Sequence, residues 1–310
     1  MRVLVIGGTG FIGRHVVARL AAANHHVLVL TRLYARGVDL QVLPGVTVLQ
    51  GEPDADATLD ALMRGCDAVM NLVGILHGRS GEPYGPEFAR AHVALPERIA
   101  QACLRNGVHR FIHISALGAD PKGPSMYLRS KGDGEAVLRH TFSSWSERGW
   151  TIFRPSVVFG ADDNFTNLFA QLARRLPVLP LAGADSRMQP VYVKDVAQAI
   201  DNALGNPHTW GCTYELAGPQ VYTLGEIAAM CARWSGHPRR VIRLPDAIGR
   251  LQAGLLACLP GTPLMTPDNL DSLKVDSVAQ APLAAELGLI ATPMEAVAPG
   301  YLGRHAGKYF

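Results

Sequence analysis

Short apolar runs alternate with amphipathic stretches along the first half of the chain. The apolar runs cover residues 3–6, 26–30, 46–49, 68–73, 110–115 and 151–153. Helix-like patterns separate most of these runs, and the first of them reaches through Arg19 to Ala23. Parallel strands that helices cover on both faces have this appearance, because neither face of such a strand meets water. The pattern therefore predicts an α/β fold with a doubly wound parallel sheet and right-handed crossovers.

The alternation of short apolar runs with amphipathic stretches changes after about residue 160. A proline-rich segment lies at 177–180, followed by a predicted helix at 194–204 and a strand-like run at 212–216. Residues 245–260 predict a further helix with four apolar side chains on one face, Ile248, Leu251, Leu255 and Leu259. Two interpretations of this face stay open. It packs on the main domain as core, or it covers an apolar ligand.

Composition and charge narrow the class of protein. With 48% hydrophobic and 18% charged residues in 310, the chain is typical of a folded globular protein. The net charge is +3 and no block of five like charges occurs, so we predict no nucleic-acid partner. No apolar run approaches the ~18 residues of a spanning helix. The five cysteines are widely spaced and odd in number, which favours reduced thiols and a cytoplasmic location.

The first predicted strand ends in a glycine-rich turn that leads into a helix. Gly7, Gly10 and Gly13 have the spacing G-x-x-G-x-x-G. In a dinucleotide-binding turn one glycine turns the chain, a second lets backbone N–H groups reach the pyrophosphate, and the third lets the helix pack against the strand. An ordinary tight turn is the alternative, but the flanking strand and helix favour a dinucleotide. The predicted cofactor contacts here are Gly7, Thr9, Gly10, Phe11, Ile12 and Gly13.

The end of the second predicted strand indicates which dinucleotide binds. An acidic residue at this point binds the 2′-hydroxyl of the adenosine ribose in NAD-specific folds. This chain has Arg32 there, Arg36 four residues on, and no acidic residue before Asp39. A guanidinium binds a 2′-phosphate through two hydrogen bonds, whereas a carboxylate repels it. Arg32 therefore predicts a preference for NADP(H), with NAD(H) as the second choice. A solvated loop arginine is the alternative interpretation.

Tyr127 and Lys131 lie four residues apart in a predicted helix, which places them side by side. We expect the ammonium to lower the phenol pKa from about 10, so that the tyrosine exchanges a proton with a substrate oxygen. Lys131 is also a candidate ligand for the cofactor ribose. The pair follows the predicted strand at 110–115, whose carboxyl end should face the cofactor crevice. An exposed helical pair is the alternative.

These residues resemble the extended and atypical branch of the short-chain dehydrogenase/reductase family. The motifs that match in order are the glycine turn, Asn71-Leu72-Val73-Gly74, Tyr127 with Lys131, and Arg154-Pro155-Ser156-Val157-Val158-Phe159-Gly160. Three further segments are similar to the group of the NADPH-binding accessory subunit of respiratory complex I and its bacterial relatives. They lie at 114–120, 189–196 and 263–270. The resemblance covers nearly the whole chain.

The resemblance implies a domain organisation and further site residues. It implies an NAD(P)-binding Rossmann domain at residues 1–160, and a region at 161–310 that completes the sheet and forms a smaller substrate lobe. It adds Ser115 to Tyr127 and Lys131 as a third catalytic residue, which would donate a hydrogen bond to the substrate oxygen. The cofactor contacts that it adds are Asn71, Val73, Gly74 and Pro155.

Two functions are compatible with the resemblance. One is hydride transfer between the cofactor and a carbonyl or carbinol carbon of a small molecule, with an apolar, quinone-like substrate as one option. The other is a non-catalytic role as the NADPH-holding module of a respiratory or quinone-biosynthetic complex, which allows association with that complex or with a membrane surface. The intact Tyr127 and Lys131 pair favours the enzyme.

Departures from sugar-nucleotide epimerases bear on the substrate. Ser115 lies only twelve residues before Tyr127, closer than the corresponding serine of those enzymes. Their diphosphate-clamping arginine is replaced here by Met188, with Arg187 one residue away. A sugar nucleotide is therefore disfavoured. No histidine or cysteine cluster has the spacing of metal ligands, so no metal site is predicted.

Overall fold

The computed structural model describes residues 1–144, 149–257 and 265–303. The strands are β1 (Arg2–Ile6), β2 (His26–Thr31), β3 (Val46–Gln50), β4 (Ala68–Asn71), β5 (Arg110–Ile114), β6 (Trp150–Pro155), β7 (Val158–Phe159), β8 (Val178–Ala182), β9 (Arg187–Met188), β10 (Val191–Tyr192), β11 (Cys212–Leu216), β12 (Tyr222–Thr223) and β13 (Arg240–Leu244). The α-helices are α1 (Phe11–Ala22), α2 (Asp56–Met63), α3 (Pro86–Phe88), α4 (Leu95–Asn106), α5 (Met126–Thr141), α6 (Thr166–Arg175), α7 (Val193–Leu204), α8 (Leu224–Trp234), α9 (Asp246–Ala257), α10 (Pro267–Ser272) and α11 (Met294–Leu302).

Seven strands form one parallel sheet in the order β11-β6-β5-β4-β1-β2-β3. Successive residues of β1 enter opposite hydrophobic clusters: Val3 and Val5 join the cluster of α1 and α7, whereas Leu4 and Ile6 join that of α2 and α4. This alternation buries both faces of the sheet. The predicted doubly wound α/β class is confirmed.

The strand register brings the carboxyl ends of the central strands to one edge. Ile6 pairs with Asn71, and Asn71 pairs with His113 one strand further along. Ile114 in turn pairs with Phe153. The strand order changes direction between β1 and β4, and in such sheets ligands bind in the crevice that opens at this switch point.

The chain after residue 160 contributes both to the main sheet and to a separate core. The predicted strand at 212–216 is β11, which pairs with β6 at the edge of the main sheet. The predicted helix at 194–204 corresponds to α7. A third hydrophobic cluster unites α6, α8 and α11 with β8, and Ile227 and Ala298 are fully buried in it. None of the described helices combines the length and apolar character needed to cross a bilayer.

The apolar helix face predicted at 245–260 differs from a core face. The described helix is α9, and Ile248 and Leu251 are 52% and 66% exposed. The interpretation of these two side chains as core is therefore wrong. Leu259 and the side chain of Leu255 lie outside the described residues.

Candidate cofactor and catalytic site

The glycine turn forms a cradle at the amino end of α1. Gly10 precedes the helix without a side-chain cap, and the first turn contains no acidic residue. A Cβ on Gly13 would lie 2.2 Å from the Gly7 carbonyl oxygen, so only glycine lets the helix start this close to β1. A Cβ on Gly10 would meet only that same oxygen, at 3.3 Å. The open surface over Gly10 and the uncapped N–H groups fit a pyrophosphate.

The loop after β4 lies between this turn and Lys131. Gly7 has a φ of +88°, and a Cβ there would come within 2.9 Å of the Val73 nitrogen. At the other end of the loop, a Cβ on Gly74 would lie 3.4 Å from Lys131 Nζ. The structure thus brings together Gly7, Val73, Gly74 and Lys131 from three separate parts of the sequence.

Asn71 differs from its prediction as a cofactor contact. Its side chain is fully buried, and Oδ1 accepts a hydrogen bond from the Val73 N–H at 3.2 Å. Its Nδ2 donates to Nδ1 of His113 at 3.2 Å. Both ends of the amide are therefore used inside the protein, and Asn71 shapes the loop that carries Val73.

Lys131 is buried near the carboxyl end of β5. Its Nζ donates to the Ile114 carbonyl oxygen at 3.1 Å. Burial lowers the pKa of the ammonium from 10.5 to about 8, against the opposing effect of Glu135 one turn along α5. Glu135 is fully buried and accepts two hydrogen bonds of 2.7 Å from Arg154. This ion pair joins α5 to β6 directly beside the site.

Ser115 directly follows β5 and is 3% exposed. Its backbone N–H donates to the Phe153 carbonyl at 2.7 Å, which fixes the residue at the sheet edge. Its Oγ is buried and has no hydrogen-bond partner among the described residues. A buried hydroxyl without a partner is costly, so this group has bonding capacity for a substrate oxygen.

Tyr127 lies in the first turn of α5, one turn before Lys131. Its ring meets the ring of His92 edge-on, with centroids 5.6 Å apart. Burial raises the pKa of the phenol to about 12. The expectation that Lys131 lowers this pKa is wrong, because removal from water disfavours the phenolate.

His92 is a site residue that the sequence patterns did not indicate. It lies in a π-helical segment, Ala89–Ala94, and is buried. Nε2 accepts a hydrogen bond from the Ile75 N–H at 3.1 Å, so the ring proton lies on Nδ1, which meets Ser130 Oγ at 2.8 Å. Ser130 Oγ donates to the Tyr127 carbonyl at 2.9 Å. Burial lowers the His92 pKa to about 2, so this neutral ring links the loop after β4 to α5.

Arg32 lies at the end of β2 and is exposed. Within the described part of the chain it makes no hydrogen bond or ion pair, so its guanidinium is available to a ligand. Arg14, in α1, is a second arginine close to the loop after β2, and the sequence patterns did not indicate it. It donates to the Thr9 and Arg36 carbonyls at 3.2 and 2.6 Å and pairs with Asp39. The charge of Asp39, the first carboxylate after Arg32 in the sequence, is thus balanced by Arg14.

The remaining predicted contacts Phe11, Ile12 and Pro155 make packing and backbone contacts within the protein. A Cβ on Gly160 would lie 3.2 Å from the Phe11 ring, so the start of α1 contacts the segment after β6. Pro155 is buried, and its carbonyl accepts the Leu117 N–H at 2.9 Å. Ile12 packs against the cluster of α1 and α7.

Met188 and Arg187 lie where sugar-nucleotide epimerases were expected to have a diphosphate-clamping arginine. Met188 is buried in the third hydrophobic cluster. Its neighbour Arg187 is exposed, and its Nη1 lies 3.9 Å from Asp276 Oδ2. Neighbouring residues on a strand point to opposite sides, so Arg187 cannot replace an arginine at position 188. Among the described residues, no cluster of three or more His, Cys, Asp or Glu has the arrangement of a metal site.

Comparisons with known proteins agree with this architecture. The model of the NAD dependent epimerase/dehydratase family matches residues 3–217. The mitochondrial NADH dehydrogenase [ubiquinone] 1 alpha subcomplex subunit 9 of Mus musculus is 32% identical over 97% of this chain and 79% of its own length. The ceramide reductase of Caulobacter vibrioides is 32% identical over 82% of this chain and 76% of its own.

A solved structure shares the fold. It is that of a dTDP-glucose 4,6-dehydratase from Streptomyces venezuelae, which contains NAD. It superimposes with a TM-score of 0.69 at 23% identity, covering 79% of this chain and 85% of the other.

Proposed function

Because the chain belongs to the NAD dependent epimerase/dehydratase family, we propose that it is a nicotinamide-dependent reductase that acts on a carbonyl compound. The observation that carries this proposal is the buried Ser115 Oγ, which lacks a partner among the described residues at the sheet edge where Lys131 also lies. A substrate oxygen placed there would satisfy this hydroxyl. The family's cofactor supplies the hydride when it is bound.

Different residues of the described chain hold different parts of that cofactor. The N–H groups at the start of α1 bind the pyrophosphate over Gly10. The Lys131 ammonium donates to the ribose hydroxyls, and this contact offsets the cost of burying the charge. Arg32, exposed and without a partner among these residues, binds the 2′-phosphate, so NADP(H) is preferred over NAD(H).

Tyr127 supplies the proton that carbonyl reduction consumes. With a pKa of about 12, Tyr127 keeps its proton at neutral pH. It therefore acts as the acid that donates this proton to the carbonyl oxygen as the hydride reaches the carbon. Ser115 Oγ donates a hydrogen bond to the same oxygen. In the reverse reaction, alcohol oxidation, the same group acts as the base in its phenolate form.

Exposed apolar side chains in two loops near Gly74 and Gly118 favour an apolar substrate. Leu76, in the loop after Gly74, is 57% exposed, and Val275, beside Gly118, is 41% exposed. The buried Met188 replaces a diphosphate clamp. The similarity to a ceramide reductase, whose name indicates a lipid substrate, supports the same choice.

The substitution Tyr127→Phe tests the proposal. With NADPH and a panel of apolar ketones and quinones, we expect kcat to fall about 10²- to 10⁴-fold, the usual contribution of a general acid. Cofactor affinity, measured by NADPH fluorescence, should stay within about twofold because the phenol does not hold the dinucleotide. Tyr214→Phe is the matched control, since this hydroxyl lies 3.0 Å from Glu286 outside the site. Wild-type turnover by the Tyr127→Phe variant would refute the role of the tyrosine.

A second function is a cofactor-holding module without turnover. The similarity to the mitochondrial NADH dehydrogenase subunit over 97% of the chain favours it. Under this hypothesis the protein binds NADPH, no member of the panel is reduced, and a partner protein co-purifies from the native cell. Turnover of any panel member that depends on Tyr127 decides for the enzyme.

A further inference from the structure

Helix α10 from the C-terminal region contacts the amino end of α5, where Tyr127 lies. The Asp268 carboxylate accepts the Met126 N–H at 2.6 Å through Oδ1 and the Tyr127 N–H at 3.1 Å through Oδ2. Asp268 is 8% exposed. The backbone of the tyrosine is thus held by a residue from a distant part of the chain.

Two further hydrogen bonds attach the same short helix to the site. Ser272 Oγ lies 2.8 Å from Ser125 Oγ, and Asn269 Nδ2 lies 3.3 Å from the Leu76 carbonyl. Helix α10 bridges the start of α5 and the loop after Gly74. Movement of α10 would therefore reach both Tyr127 and the loop that carries Leu76.

The start of α5 has a local cap of its own. Ser125 Oγ accepts the Leu128 N–H at 3.1 Å, which is the usual way for a helix to begin. The Asp268 carboxylate satisfies two other free N–H groups and is favoured by the helix dipole. Since one cap is sufficient to start a helix, the second cap is available for a different task. It fixes the backbone from which the Tyr127 side chain extends.

We propose that Asp268 is a positioning residue for Tyr127, through which the C-terminal region sets the orientation of the catalytic phenol. The inference rests on the proposed function. A small rotation about the Tyr127 Cα displaces the distant hydroxyl by a larger amount, and misplacing a reacting group by about 1 Å costs on the order of 10²-fold in rate.

Kinetics on the full-length protein test the proposal. We expect Asp268→Ala to lower kcat about 10- to 100-fold, with NADPH affinity unchanged. Asp268→Asn keeps one acceptor oxygen and should fall between Ala and wild type. Asp271→Ala is the control, because this carboxylate lies on the same helix but pairs with Arg250 and Lys274. An equal loss in Asp271→Ala would indicate general loosening of α10 and overturn the proposal.

A double-mutant cycle separates positioning from other effects. In the Tyr127→Phe background, Asp268→Ala should cause no further loss of turnover, because no phenol remains to be positioned. A second loss of the same size would overturn the proposal. If Tyr127→Phe itself has normal turnover, the catalytic role given to Tyr127 in the proposed function fails. If Tyr127→Phe loses turnover but Asp268→Ala does not, only the positioning proposal fails, and the two failures are thereby distinguished.

Hydrogen exchange gives a readout that does not depend on turnover. In Asp268→Ala the amides of Met126 and Tyr127 should exchange at least about tenfold faster, a change equivalent to about 1.4 kcal/mol of protection. The Leu128 amide should stay unchanged, since Ser125 holds it. Unchanged exchange at Met126 and Tyr127, or fraying that extends to Leu128, would overturn the proposal.

Discussion

Lys131 gives the most quantitative prediction, because a buried ammonium costs folding free energy that an apolar side chain of similar length avoids. The side chain is 3% exposed and has the Ile114 carbonyl as its hydrogen-bond acceptor. Burial lowers its pKa from 10.5 to about 8. We therefore expect Lys131→Met to be more stable than the wild type near pH 7 while losing turnover. Stability and function oppose one another at this residue.

The sign and size of the pH effect follow from linkage. Between about pH 8 and 10.5 the unfolded chain binds a proton at Lys131 that the folded chain has released, so the wild type gains stability as pH rises. For pKa values of about 8 and 10.5, the free energy of unfolding gained between about pH 7.5 and 9.5 is about 2 kcal/mol. The methionine variant lacks this contribution. The buried tyrosines and cysteines titrate equally in both proteins and cancel in the difference.

Urea unfolding of both proteins at several pH values, without cofactor, measures this difference. The stability of the wild type minus that of Lys131→Met should rise by about 2 kcal/mol across the interval. Lys122→Met is the control, because Lys122 is exposed and its substitution should give a flat difference. A flat difference for Lys131 as well would refute the burial of its ammonium. Saturating NADPH should reduce the slope, since ribose contacts favour the charged form.

Three further predictions concern the cofactor cradle and the sheet. Arg32→Ala should remove most of the NADPH preference, about 1.5–3 kcal/mol in a comparison of NADPH and NADH affinities, and equal affinities in the wild type would contradict the assignment. Gly13→Ala should destabilise the protein by about 1–3 kcal/mol and weaken cofactor binding, because its Cβ would lie 2.2 Å from the Gly7 oxygen. Gly300→Ala is the control: this glycine lies in α11 with open space around it, so the substitution should not lower the free energy of unfolding. Arg110→Met should lower the free energy of unfolding by about 3 kcal/mol. The reason is that the buried guanidinium donates hydrogen bonds to the carbonyls of Ala203, Leu204 and Gly149. A loss of less than about 1 kcal/mol in a urea titration would refute this account.

The fold could be predicted from local patterns because its strands are buried on both faces. An unbroken apolar run is the direct signature of such a strand, and the run at 212–216 is β11. The placement of Tyr127 and Lys131 one turn apart on a single helix also follows from spacing alone. Helix periodicity is a local property, so no distant contact was needed for either prediction.

The parts of the site that escaped prediction depend on contacts between distant segments. Asp268 reaches Tyr127 across 141 positions of the sequence. His92 acquires its role from a π-helical segment, and no side-chain pattern signals that backbone geometry. The raised pKa of Tyr127 and the inward-facing amide of Asn71 both result from burial. Burial depends on the whole fold, whereas residue spacing reports only on neighbours along the chain.

The position of β11 in the main sheet has a consequence for synthesis of the chain. β6 pairs with β5 on one side and with β11 on the other, and residues 156–211 separate β6 from β11. While the ribosome is making this stretch, the nascent sheet ends in an open β6 edge, whose free backbone groups can pair with another chain. The stable sheet is complete only when residue 216 has emerged. A protein divided or joined to a fusion partner between residues 161 and 211 would therefore separate two neighbouring strands.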